Sequence, residues 1–94
     1  IKASATAIAR KQGVVVDAED QNLWNALRSC RKRLAEEHGV PPYVIFHDAT
    51  LREMLEFRPT TESELLSITG VGHSKLERFG DEFLEVIREA EYNT

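Results

Sequence analysis

Three groups of residues in this chain have the types and spacing to do chemistry. The first is "RSCRKR". At about 100° per residue on a helical wheel, Arg28, Arg31 and Lys32 fall within one arc, Trp24 lies beside it, and Arg33 points elsewhere. Basic groups neutralise phosphates, and an adjacent aromatic offers a stacking surface to an unpaired base. The second is Tyr43, presented directly after Pro41–Pro42. The third is Gly70–Val71–Gly72, followed by Lys75 and Arg78. Glycines permit the tight turn of a helix hairpin, and the free N–H groups of the following helix point outward, where an anion can sit. Lys75, one turn on, could reach the same phosphate, and Arg78 shares its face.

Each group has a plainer alternative. The basic stripe can be a solvated helix face, with Lys32 paired to Glu36 at i, i+4. On spacing alone, Tyr43 reads as a core residue with its hydroxyl at the surface rather than as a stacking platform. The glycine turn can serve packing only, and Glu77, Asp81 and Glu82 crowd it with negative charge. No catalytic constellation accompanies these residues. His38, His47 and His73 lie far apart, without the close spacing of a helical or finger-type metal site. There is no Walker-type loop and no G-x-S-x-G elbow. Cys30 is the sole cysteine, which rules out an internal disulfide and fits a reducing compartment; on an apolar helix face its role is packing. The chemistry indicated is binding, not reaction.

The totals agree with one small domain: 94 residues, 41% hydrophobic, 30% charged, net charge −4. No apolar run is long enough to span a membrane, and the N-terminus has no signal-peptide h-region. The chain begins at Ile1 and its one methionine is Met54, so it reads as a piece of a longer protein. The net charge hides an uneven distribution. Residues 28–47 carry +2, while 48–72 and 73–94 carry −3 each.

The elements that must position these groups are helical. Residues 1–19 read as a linker or extension from a preceding domain, with a helical turn over Ser4–Gln12, and 20–94 as the domain proper. Leu23, Leu27, Cys30 and Leu34 recur on one helical face over 20–38. Asp20 or Asp17 is expected to cap its start, and Gly39 with Pro41–Pro42 to stop it. "VPPYVIF" is not expected to be helical through its prolines, and Val44, Ile45 and Phe46 bring apolar bulk to the core. Asp48 looks like an N-cap for a helix that Pro59 ends. Thr61 with Glu64 forms a capping box for a helix of about two turns. After the glycine turn, a helix is expected through Phe79, broken by Gly80, with Asp81 capping a last helix whose Phe83, Leu84, Ile87 and Ala90 face inward. No segment alternates like a half-buried strand. The expected fold is all-α, a compact bundle of about five helices containing a helix-hairpin-helix-like element.

Taken together, "VPPYVIFHDATL" (40–51) and "GVGHSKLERFG" (70–80) resemble the signature segments of the helicase-and-RNase-D C-terminal domain, HRDC, most closely the version found in bacterial RecQ-type DNA helicases. The resemblance covers about residues 22–90. It implies a non-catalytic, monomeric accessory module that binds DNA, preferring single-stranded or partly single-stranded forms. The implied parent is an ATP-dependent 3′-to-5′ helicase of recombination and repair, bacterial and cytoplasmic. ATP and Mg belong to its upstream core, and this domain needs no cofactor. By resemblance Tyr43 becomes the favoured single-strand contact, supported by Arg28, Arg31 and Lys32. Lys75, Arg78, Gly70 and Gly72 are secondary candidates. Two other functions stay open. One is a protein-interaction or intramolecular docking module, contacting the parent core or other repair proteins through the acidic helices. The other is an RNA-binding domain of an RNase D-type ribonuclease.

Overall fold

The computed structural model describes residues 18–92; the expected turn over Ser4–Gln12 and the cap at Asp17 lie outside them. Five helices follow one another: α1 (Ala18–His38), α2 (Pro42–Ile45), α3 (Asp48–Phe57), α4 (Glu62–Leu66) and α5 (His73–Tyr92). The described residues contain no strand, and none of their helices is long and apolar enough to cross a membrane. The all-α bundle of about five helices is therefore as expected, but it is divided differently. Two expected helices merge into α5, and the proline segment supplies α2.

The long helices α1 and α5 form the frame, packed through Leu23, Leu27, Cys30 and Leu34 on one side and Phe79, Phe83, Leu84 and Ile87 on the other, all buried. Gly39 ends α1 at φ +65, with Gly39 N–H donating to Glu36 O and Val40 N–H to Ala35 O. This pair of bonds satisfies carbonyls that the last turn would leave open. Gly80 does not break α5. It is buried inside the helix, and a Cβ there would stand 2.8 Å from Leu76 Cδ1 and 3.7 Å from Leu65 Cδ2. The tight contact is with the Leu76 side chain one turn earlier in α5, while Leu65 of α4 lies at ordinary contact distance, and the helix runs on through the glycine despite its poor helix propensity. Asp81 accordingly caps nothing and lies exposed on the helix surface.

Two further expected caps are also displaced. Asp20 is the third residue of α1, with 1% of its surface exposed, and its Oδ1 accepts a 2.6 Å bond from Arg58. Asp48 is the first residue of α3, and His47 is the cap, without a side-chain bond. Thr61 does cap α4, accepting from Glu64 N–H. The return bond goes one residue early, from Thr60 N–H to Glu64 Oε1. That bond lowers the Glu64 pKa.

The proline segment folds for a local reason. Pro41, preceding a proline, is held extended at ψ 151. Pro42 then takes the first helical position, where its missing N–H is no loss. One turn closes with Phe46 N–H donating to Pro42 O, and Phe46 leaves it extended. Ile45 and Phe46 enter the core, while Tyr43 and Val44 stay outside. Phe46 packs edge-on against Phe79 and Phe83. From α1, Arg31 donates to Phe46 O at 3.1 Å and to Asp48 Oδ1 at 2.6 Å, fastening the exit of α2 and the start of α3 to the first helix. That bond, together with the guanidinium charge, holds the Asp48 carboxyl below its ordinary value.

At the other end, Arg58 closes α3 in the left-handed region at φ 48, its N–H donating to Met54 O. Its guanidinium reaches Asp20 on α1 and Glu91 on α5, so one side chain ties three helices. The glycine turn is fixed from α3. Thr50 Oγ1 donates to Thr69 O at 2.9 Å, and Glu53 Oε1 accepts from Thr69 N–H at 3.0 Å. Gly70 has φ +93, and a Cβ there would collide with Thr50 Oγ1; Gly72 lacks positive φ and a Cβ there would meet nothing within 4 Å. Val71 fills the core between them.

Arg58→Ala should destabilise the domain by about 3 kcal/mol in urea unfolding, because it strips a buried carboxylate of its guanidinium. Adding Asp20→Asn should recover part of that loss. Gly70→Ala should cost about 1–3 kcal/mol while Gly72→Ala leaves the urea midpoint in place; equal effects would contradict the geometry described. The Asp48 pKa is lowered on folding, so its contribution is full above the ordinary value of 3.8 and is lost as pH falls through the lower folded value. Asp48→Asn should therefore cost at most about 1 kcal/mol at neutral pH, with the gap to the wild type closing in acid titrations of stability.

Candidate nucleic-acid interface

Tyr43 is 59% exposed, which overturns the core reading that its spacing favours. Its ring stacks on that of His47, with centroids 6.0 Å apart and planes at 27°. Phe46 leaves α2 extended, and this exit sets His47 beside the Tyr43 ring. His47 is a neighbour of Tyr43 that sequence spacing does not single out.

The basic stripe is not one unit. Arg31 has only 12% of its side chain exposed and is engaged by Asp48 and the Phe46 carbonyl. It is a clamp whose charge is already matched, and no sequence spacing announced the partner. Arg28 and Lys32 are exposed and have no ion pair within 4 Å among the described residues. The pairing of Lys32 with Glu36 does not form; the neighbouring Arg33 reaches Glu37 instead, at 3.7 Å. Two shallow depressions meet at Arg31 and Pro42. One is completed by Tyr43, His47, Asp48 and Ala49. The other is completed by Asn25, Arg28, Ser29 and Lys32. Pro42 is thus the shared wall between an aromatic side and a cationic side, and the fold brings Tyr43, Arg28 and Lys32 onto one surface.

The hairpin cations divide between two places. Lys75 Nζ lies 5.8 Å from the Phe46 ring centroid, so it approaches the α2 segment from α5. Arg78 instead lies over Phe79, 4.9 Å from the ring centroid, where His38 meets the same ring edge-on. At the turn itself, Gly70 is occupied by the contact with Thr50, and Glu53 already takes the Thr69 N–H. Gly70 packs closely on Thr50, whereas a Cβ at Gly72 would meet nothing within 4 Å ahead of α5. Cys30 is buried, and desolvation pushes its thiol up to about 11; it has the character of an inert packing residue.

A cation that the charge pattern concealed completes the surface. Arg52, in a stretch of net −3, is exposed on α3 and lies over the Trp24 ring, 6.0 Å from its centroid. The charges of Arg31, Arg52 and Arg28 all act on the Asp48 carboxyl. The acidic excess of the chain is thus locally reversed where α1 meets α3.

Known proteins resemble this chain over most of its length. The HRDC domain family profile matches residues 20–87. The chain is 40% identical over 86 residues to the ATP-dependent DNA helicase RecQ of Pasteurella multocida, and 46% identical over 80 residues to that of Haemophilus influenzae. These matches cover 92% and 85% of the chain but only 14% and 13% of the relatives' own length. The ATP-dependent DNA helicase UvrD2 of Mycobacterium bovis is 35% identical over 88 residues, again over 13% of its length. Among solved structures, the third HRDC domain of D. radiodurans RecQ superposes with a TM-score of 0.74 at 32% identity, covering 77% of this chain and 95% of that one. A profile match over most of the chain, a shared fold and this level of identity place it plainly: the chain belongs to the HRDC domain family.

Proposed function

We propose that the domain binds single-stranded or partly single-stranded DNA through the surface around Pro42, as a non-catalytic module of a larger DNA helicase. The observation that carries this is the exposed Tyr43 ring, stacked on His47 and backed by the unpaired cations Arg28 and Lys32. An exposed ring stacks on a base of any identity, and only an unpaired base offers its face. Two free cations beside it supply phosphate contacts, few enough for weak and salt-sensitive binding. Lys75 is the hairpin cation nearest the same segment, with Arg78, Gly70 and Gly72 secondary.

The parent we propose is a RecQ-type, ATP-dependent helicase acting 3′ to 5′ in recombination and repair, with ATP and Mg bound in its own core. RecQ-named relatives reach the higher identities, and the UvrD2 match supports a helicase context in a second helicase line. The domain itself is proposed to act as a monomer. A docking role for the acidic helices is the competing function. Phe57 and Tyr92, exposed next to the Arg58–Glu91 pair at the opposite end from Tyr43, favour it.

Tyr43→Ala should weaken binding of oligothymidylate about five- to hundredfold, the range expected for one stacked base, with an unchanged urea midpoint. Affinity should fall steeply with salt. An alanine variant that binds like the wild type would reduce Tyr43 to a surface ornament. No binding to any DNA at low salt would hand the function to protein docking.

A further inference from the structure

Beyond Pro42, α1 and α3 run side by side, and their seam carries residues that the Tyr43 contact does not use. Arg31 meets Asp48 at one end of this seam. Seven residues back along α1 and four forward along α3, Arg52 covers Trp24. Arg28 stands between them on α1. Neither Arg28 nor Arg52 has an ion-pair partner among the described residues, and both are exposed. Arg31 bonds Asp48 directly, and the charges of Arg52 and Arg28 also act on that carboxylate. Trp24 is half-buried, with one part packed on the core. The Arg52 guanidinium carbon lies 6.0 Å from the centroid of its ring.

The spacing matters. From Arg31 to Trp24 the helix advances about 10 Å, while a stacked strand rises about 3.4 Å per nucleotide along its axis. One nucleotide at Tyr43 cannot reach Arg52, but a strand several nucleotides long can. A guanidinium plane stacks on a base much as a ring does, and an aromatic beneath it steadies the cation.

We infer that the α1–α3 seam is a second station for the bound strand, with Arg28 and Arg52 meeting phosphates and the Arg52–Trp24 pair meeting a base. This rests on Tyr43 marking a single-strand site, and adds to it a direction and a length. The strand leaves the Tyr43–His47 rings, passes Pro42 and Arg28, and ends over Trp24.

Trp24 is the one tryptophan of the chain, so its emission reports on this station alone. The domain is titrated with oligothymidylate, following anisotropy of a labelled strand and, with unlabelled strand, Trp24 emission. Emission is expected to change along the same isotherm as anisotropy. Arg52→Gln should weaken binding about five- to tenfold and reduce the salt slope by about one, and Arg52→Lys should restore the slope. Saturating anisotropy with flat Trp24 emission, or a wild-type salt slope in Arg52→Gln, overturns the second station. If Tyr43→Ala still weakens binding in that case, the first site stands without the second. If the wild type binds no strand at low salt, both fall. The emission measurement needs no variant, so it does not depend on whether a substitution folds.

Discussion

Phe46 is the residue through which this structure is held together. Its ring is wedged against Phe79 and Phe83 of the last long helix. Its carbonyl takes a bond from Arg31 of the first. Its N–H closes the turn that begins at Pro42. Three constraints of different kinds, apolar burial, a charge-assisted bond and a backbone bond, thus converge on one position. Their combined result is a fixed place for α2 on the rest of the fold. Everything on the surface around Pro42 inherits its geometry from that anchor, including the exposed ring three residues earlier.

Periodicity found the parts of the fold that periodicity governs. The apolar face of α1, the inward residues of α5 and the stop at Gly39 were all visible, because they depend on neighbours within a few positions. What could not be read depends on distant partners. Gly80 looks like a breaker, yet the helix runs through it and buries it. Asp20 and Asp48 look like caps because aspartate at a helix start usually is one; each is instead claimed by an arginine far along the chain. The same blindness affected the site. Arg31 counts as a free cation on a helical wheel, and only the tertiary fold shows that Asp48 has engaged it. Arg52 is concealed in the opposite way, inside a stretch whose charges sum to −3.

Net charge is therefore a poor guide to what this domain can touch. A total of −4 is compatible with a local cationic surface because a sum over the chain does not say which charges are paired. Arg28 and Lys32 line one depression beside Pro42, and Arg52 lies over Trp24 at the seam of α1 and α3. At the opposite end, Arg58 is enclosed by Asp20 and Glu91, a buried arrangement that serves the union of three helices. With a Debye length of about 8 Å at physiological ionic strength, the acidic residues of one end do little to the potential at the other. The folded domain behaves as two electrostatic neighbourhoods.

The turn opened by Pro42 has a thermodynamic consequence. A proline has little backbone freedom to lose, and the neighbouring proline restricts the chain before it. Tyr43 therefore sits on backbone whose entropy was surrendered during folding, and its ring has only two torsions left to settle. When a partner stacks on it, the protein gives up almost nothing further. The ordering falls on the partner instead, so a strand already straightened or unpaired pays the smaller penalty. Selectivity for the state of the nucleic acid can then arise from rigidity on one side of the contact, with no base being recognised at all.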